Sequence, residues 1–318
     1  MLITHQHPHN KSIMVSILGK PNAGKSTLIN NLLGFDLSIV SRKPQTTRNT
    51  FHCCFTVDRT EIILVDTPGV HKSGQELNIR MNGQATRASE GTDLNIILID
   101  ARKNIFEEFE SFMSCMDRDL ANSWVIFNKS DVAENRSYDE DFEKLKQKYP
   151  SLEKYFLISA KTGSNVHELV GALCDVAPSG PHLYPKGDVS NKNMRFFVTE
   201  YIREQAFRVL KEELPYELAV TIDKFKEKPS EESKVQADIS ATILVNRPSQ
   251  RAIVVGSKGS VIKDIGSNAR KKIEAMMGGK VYLKLHVKVA PKWFKNNFIL
   301  EELGLPRVQN SKRVWRKR

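Results

Sequence analysis

Cysteine is scarce in this chain. Cys53, Cys54, Cys115 and Cys174 are the only four in 318 residues, and no two form a Cys-x-x-Cys pair. That excludes a disulfide framework and a zinc ribbon and suits a reducing compartment. Long apolar runs are also missing. No strongly apolar run exceeds four residues, whereas a membrane-spanning helix needs about 20. The first ten residues, MLITHQHPHN, hold no basic patch ahead of an apolar stretch and no arginine. No secretory signal or mitochondrial presequence is expected there. His5, His7 and His9 read as part of a flexible extension over residues 1–11. Acidic residues are absent from the last twelve positions, which carry Arg307, Lys312, Arg313, Arg316, Lys317 and Arg318.

What is present is an ordinary globular composition, 40% hydrophobic, with an uneven charge. Residues 1–185 carry 20 Lys/Arg against 22 Asp/Glu, a net of −2. Residues 186–318 carry 28 against 15, a net of +13. A near-neutral half joined to a basic half points to a catalytic or switching domain tied to a polyanion-binding one.

The first half alternates strands with helices. Residues 13–18 (IMVSIL) predict a buried strand, followed by a glycine-rich turn and a helix ending near Gly34. Residues 51–57 and 61–65 predict a hairpin around Asp58-Arg59-Thr60. Apolar runs at 94–100, 123–128 and 155–159 are separated by helix-like segments. This is the pattern of an α/β fold with a mostly parallel sheet covered on both faces. Residues 178–192, PSGPHLYPKGDVSNK, have linker composition. Beyond them the order is helix (196–213), strand (216–225), strand (236–246), two helices around a glycine turn, and strand (280–289).

Four short motifs, each after a predicted strand, point to a guanine nucleotide. Gly19-Lys20-Pro21-Asn22-Ala23-Gly24-Lys25-Ser26, with Thr27 following, is a P-loop, GxxxxGK[ST]. Its backbone N–H groups and the helix N-terminus cradle phosphates, Lys25 neutralises the β and γ phosphates, and Ser26 offers a hydroxyl to Mg²⁺. Asp66-Thr67-Pro68-Gly69 puts a carboxylate at a strand end, where it serves Mg²⁺, and a Gly69 N–H near the γ-phosphate. Asn128-Lys129-Ser130-Asp131 supplies a carboxylate at Asp131 for the paired N–H donors of guanine, with Asn128 bracing the loop. Ser159-Ala160-Lys161 follows the last strand, and the Ala160 N–H is expected to donate to the guanine carbonyl. Between the first two motifs, Thr46 and Thr47 are the switch threonines, Thr47 being the preferred Mg²⁺ ligand and Thr46 the fallback.

Val70 occupies the position where a water-orienting glutamine stands in Ras-type GTPases. Slow intrinsic hydrolysis is therefore expected, with stimulation by a partner or by K⁺, for which Asn22 is the candidate ligand. In the basic half, Gly256-Ser257-Lys258-Gly259 between two helices, with Lys263 beyond, is a GxxG loop of the kind that clamps about four nucleotides. The flanking order matches the type II KH topology.

Taken together, these segments resemble the bacterial Era GTPases, within the TrmE-Era-Der-like P-loop GTPases. The resemblance rests on GKPNAGKST, QTTR, DTPGVH, NKSD and ISAK in the first half. In the second it rests on the YP pair of the linker, IREQAFRVLKEELPYELAV, IVVGSKGSVIKDIGSNARKKIE and LKLHVKVAPKW, and it spans roughly residues 12–305. It implies a GTPase domain at 12–177 with a mixed, mostly parallel six-stranded sheet and a linker at 178–192. It further implies a type II KH domain at 193–290 and a C-terminal helix with a basic tail at 291–318. It implies GTP/GDP and Mg²⁺ as ligands and the 3′ region of 16S rRNA and the 30S ribosomal subunit as partners. A monomeric cytoplasmic protein with some association at the inner membrane surface is also implied. Der-type GTPases carry two GTPase domains and this chain has room for one. Two alternatives of other classes are a nucleotide-gated RNA-binding module with negligible turnover and a membrane-surface regulatory GTPase.

Overall fold

The computed structural model describes residues 6–40, 43, 46–71, 76–116, 120–133, 136–228 and 235–307. They form two compact units. The first takes the chain up to residue 72 together with 84–197, and the second takes 73–83 and the chain from 198 onward.

The first unit is built on six strands: β1 (Lys11–Gly19), β2 (Phe51–Val57), β3 (Thr60–Asp66), β4 (Leu94–Asp100), β5 (Ser123–Asn128) and β6 (Leu152–Ile158). Their order is β2-β3-β1-β4-β5-β6, with only β2 antiparallel. β3, β4 and β5 are buried along their whole lengths. That fits near-continuous apolar runs in a sheet with both faces covered. The helices are α1 (Lys25–Leu33), α2 (Glu76–Glu90), α3 (Ile105–Met113), α4 (Asp139–Lys148) and α5 (Val166–Val176). Parallel register brings the C-terminal ends of β1, β3, β4 and β5 to one edge, pairing Ile17 with Asp66 and Asp100 with Asn128. Ligands bind at this edge of an open α/β sheet, and all four nucleotide motifs start from it.

Two expectations need correction. The flexible extension predicted for residues 1–11 is cut short, because β1 begins at Lys11 and Gln6 exchanges two 2.9 Å hydrogen bonds with the backbone of His182. His7 lies beside the Arg59 guanidinium; His5 lies outside the described residues. Residues 178–192, a linker by composition, are laid against the sheet. Ser190 bridges to Cys53, the Cys54 N–H donates to Val189 O, and buried Glu61 accepts the Leu183 N–H at 2.6 Å and the Tyr184 N–H at 3.2 Å. The physical reason is that β2 is an edge strand, whose outward backbone groups need partners that composition does not reveal.

The second unit contains α6 (Met194–Val209, shared with the first), β7 (Ala219–Glu227), β8 (Val235–Val245), α7 (Pro248–Val255), α8 (Ser260–Met277), β9 (Lys280–Val289) and α9 (Asn297–Glu302). Its sheet runs β7-β8-β9, with β7 antiparallel and β9 parallel to β8. Phe197, Tyr201, Ile202, Phe207 and Leu210, within the helix predicted at 196–213, are all buried. So are Arg203 and Glu204 of the same helix, and Glu204 accepts a salt bridge from Lys272 of α8 at 2.8 Å. A smaller core joins Leu77 and Met81 from the start of α2 to Ala219, Leu244, Trp293, Leu300 and Leu305. The basic tail from residue 308 lies outside the described residues.

Candidate functional site: a nucleotide cleft and a GxxG groove

A cleft of about 780 Å³ opens along the C-terminal edge of the first sheet. At one end lie Pro21, Asn22, Gly24, Lys25, Ser26, Thr27, Thr46, Thr47 and Gly69; at the other lie Asn128, Lys129, Asp131, Ala160 and Lys161. Gly24 sits at φ 106°, in the left-handed range, and a Cβ there would overlap the Asn128 side chain. This is the close approach for which the loop needs glycine. Lys25 is buried, and its Nζ donates to the carbonyls of Gly19 (3.1 Å) and Lys20 (3.0 Å). Burial pushes its ammonium down to about 8, against an upward pull from Asp66. An arriving phosphate would add negative charge beside the buried ammonium and favour its charged form. Lys20 itself turns away, toward Glu108 and Ser111.

The Ser26 and Thr47 hydroxyls lie 3.2 Å apart, and Thr46 also lines the cleft. Asp66 is fully buried and accepts from Ser38 Oγ at 2.9 Å. These are three hard oxygen donors. Adjacent ligands of an octahedral Mg²⁺ with 2.0–2.1 Å bonds stand about 3 Å apart, so the Ser26–Thr47 spacing fits a shared ion. Thr67 Oγ1 donates to Ile17 O at 2.5 Å, which ties the start of this turn to β1. Val70 is fully buried. Its apolar side chain presents no group to orient water.

At the base end, Asn128 braces two loops. Its Nδ2 donates to Ala23 O at 2.7 Å, and its Oδ1 accepts the Ala160 N–H at 2.9 Å. The Ala160 N–H, expected to serve guanine, is thus already engaged within the protein, because Asn128 reaches both neighbouring loops. Ser159 Oγ donates to Asp131 Oδ1 at 2.7 Å and orients that carboxylate. Lys129 Nζ lies 2.7 Å from both Asn22 O and Asp100 Oδ2. Sequence reasoning missed Asp100, Arg102 and Ser38. Arg102 lines the cleft and grips Asp100 through two nitrogens, at 2.9 and 2.7 Å. Burial opposes charge on Asp100, but the hydrogen bonds from Arg102 and Lys129 outweigh it and hold the carboxyl well below the usual carboxylate range. A signal existed: β4, LNIILID, ends on an acid just as β3, TEIILVD, does.

In the second unit, Gly256, Ser257, Lys258 and Gly259 form the turn between α7 and α8. Gly256 lies at φ 73°, and a Cβ there would press on Val261. Lys258 is also left-handed, at φ 48°, and is exposed, as is Lys263 one turn into α8. A basic residue is thereby presented at the apex of a tight backbone turn, and Ile253 of α7, which leads into that turn, is 57% exposed.

Comparison with known proteins agrees with both halves. A model described as 50S ribosome-binding GTPase matches residues 14–129, and a KH domain model matches 213–294. GTPase Era of Geobacter metallireducens is 38% identical over 92% of this chain and 97% of its own length. GTPase Era of Thermotoga maritima is 38% identical over 93% and 97%. The chain belongs to the Era GTPase family. Among solved structures, an Era in complex with MgGDPNP and nucleotides 1506–1542 of 16S ribosomal RNA is 32% identical, with a TM-score of 0.84 over 94% of this chain and 100% of that one. A point variant of Aquifex aeolicus Era bound to GDP and AlF4⁻ is also 32% identical, with a TM-score of 0.82 over 93% and 99%. The α/β GTPase domain with its mostly parallel six-stranded sheet, the appended KH domain and GTPase activity are those of this family. Among the described residues, no helix is long and apolar enough to cross a membrane.

Proposed function

We propose that this Era-family GTPase is a GTP-operated switch that grips the 3′ region of 16S rRNA with its KH groove and assists maturation of the 30S ribosomal subunit. The observation that carries the reading is the presence in one chain of a cleft lined by Lys25, Ser26, Asn128 and Asp131 and a GxxG turn with an exposed lysine at its apex. A related Era has been captured with Mg²⁺, a GTP analogue and nucleotides 1506–1542 of that RNA.

At the cleft, the P-loop amides and Lys25 hold the phosphates, while Asp131 accepts from the guanine edge and Lys129 ties the base loop to Asn22. Ser26, Thr47 and Asp66 would hold Mg²⁺, which neutralises charge developing between the β and γ phosphates. The 3.2 Å approach of Thr47 to Ser26 favours Thr47 over Thr46 in that role. Because Thr47 lies just ahead of β2, loss of the γ-phosphate releases this segment. Buried Val70 cannot orient the attacking water, so hydrolysis is slow without a stimulus, either a bound partner or K⁺ held near Asn22. The protein acts as a monomer in the cytoplasm, and its basic half permits peripheral contact with the inner membrane surface.

The test is fluorescence anisotropy of the 1506–1542 RNA with the full chain, charged with GDP or with a non-hydrolysable GTP analogue, at two salt concentrations. Tight, sequence-selective binding with the analogue alone is expected. Equal, sequence-indifferent binding in both states would overturn the switch.

A further inference from the structure

We infer that the KH unit has a second RNA-binding surface, on the face of its sheet opposite the GxxG turn, which takes the phosphate backbone of RNA flanking the segment held in the groove. This rests on the RNA-binding reading given above.

β9, KVYLKLHVKV, is an edge strand that alternates strictly. Val281 is buried and Leu283, Leu285, Val287 and Val289 are half-buried, on the side that packs against the helices. A Cβ on Gly266 of α8 would lie 3.4 Å from Leu285. Side chains alternate across a strand, so Lys280, Tyr282, Lys284, His286 and Lys288 all point to the other side, and all five are exposed. At about 3.4 Å per residue they form a row roughly 27 Å long. None of the three lysines has an ion-pair partner among the described residues. The neighbouring strands do not cancel the row. Asp238, cross-strand from Tyr282, is held by Lys224 at 2.5 Å, and Asp223 accepts from Thr242.

Two bland readings fall short. Lysines on an edge strand discourage edge-to-edge pairing, but a tyrosine 59% exposed among them adds nothing to that. A solvated basic face needs no exposed aromatic ring between two of its lysines. Lysines spaced along a strand with an open ring between them are the ingredients of single-strand binding, where cations follow the backbone and a ring stacks on a base. The row and the helices that carry the GxxG turn lie on opposite faces of β9. An RNA leaving the GxxG turn can pass round this edge and run along it.

The experiment measures RNA affinity against salt for the full chain charged with a GTP analogue. It compares the parent with Lys280→Gln/Lys284→Gln/Lys288→Gln, using an oligonucleotide that fills the groove alone, about four nucleotides, and the 1506–1542 segment. Each lost phosphate contact to a single strand lowers the slope of log K against log salt by about 0.7. The triple variant should therefore lose a slope of about 2 on the long RNA and none on the short one. Tyr282→Ala should weaken the long RNA about tenfold with an unchanged slope. Thermal unfolding of each variant checks that the exposed substitutions leave the fold intact. An unchanged slope on the long RNA overturns the inference, as does an equal loss on both RNAs. Failure of the underlying reading looks different: the parent itself ignores both RNAs, or Gly256→Asp/Gly259→Asp leaves the short one bound.

Discussion

Asn128→Ala tests whether the base loop and the P-loop are one mechanical piece. The side chain is 1% exposed and makes two hydrogen bonds, to Ala23 O and from the Ala160 N–H. Both partners are buried, at 3% and 2% exposure. A buried polar group left without a partner costs about 1–3 kcal/mol. Two such groups kept dry would cost about 2–6 kcal/mol. The site borders the cleft, so water can follow the truncation, and the lower end, about 2–3 kcal/mol, is expected. The first unit, residues 1–72 with 84–197, is of a size at which 1 kcal/mol shifts Tm by about 2–4 °C. Its unfolding should move down by about 4–12 °C in differential scanning calorimetry. GDP affinity, read by fluorescent-nucleotide titration, should fall at least about tenfold, because both braced loops line the cleft. Asn128→Asp separates the two bonds: it keeps the acceptor for Ala160 but sets an oxygen against Ala23 O. It should bind nucleotide no better than the alanine variant if the P-loop bond dominates. Unchanged Tm and unchanged GDP affinity in Asn128→Ala would refute the brace.

Other outcomes follow from the same structure. Asp131→Asn should weaken GTP by about 3 kcal/mol, on the scale of a charged hydrogen-bonded pair, and strengthen xanthosine triphosphate; a parallel loss of both nucleotides in titration would remove Asp131 from base recognition. Glu204→Ala should lower stability by about 1–3 kcal/mol, less than a sealed ion pair would lose, since Lys272 and Arg208 can rehydrate at 25% and 52% side-chain exposure; an unshifted urea midpoint would contradict that. Burial and nearby carboxylates push the Cys54 thiol up to about 12. A thiol whose folded pKa is raised favours the fold fully below its unfolded value, near 9, and loses that contribution as pH climbs toward 12. Alkaline Tm should therefore fall less steeply in Cys54→Ser. Alkylation at pH 8 should spare Cys54, whose Sγ faces Asp188 O, until Glu61→Ala loosens residues 182–184; rapid labelling of the parent would argue against the docked segment.

The fold was legible where one physical signal acted alone. Buried parallel strands such as LNIILID and TEIILVD announce themselves as short, continuous apolar runs. β9 announces itself by alternation. The segment at 178–192 did not, because proline and glycine report only that the chain leaves regular structure. Its partners, Glu61 and the outer edge of β2, are set by tertiary pairing. The same holds for α2. Its residues suit a helix, yet nothing local says that Leu77 and Met81 would pack with Trp293, more than two hundred positions away.

The site divides along a similar line. Motifs that meet a ligand through fixed spacing on one loop were readable, since the chemistry and the spacing sit in the same few residues. Contacts that tune those motifs were not. Asp100 acts on Lys129 from the neighbouring strand, and Ser38 reaches Asp66 from a loop 28 positions earlier. The Ala160 N–H shows the consequence. Read along the chain, it has no competitor and goes to guanine; folded, Asn128 takes it because parallel register sets the ends of β5 and β6 side by side. Guanine selectivity then rests more heavily on the Asp131 carboxylate, one of whose oxygens Ser159 already orients. Ser159→Ala should therefore relax discrimination between GTP and its inosine analogue, which lacks the exocyclic amine. A discrimination ratio equal to the parent's would show that the carboxylate needs no such help.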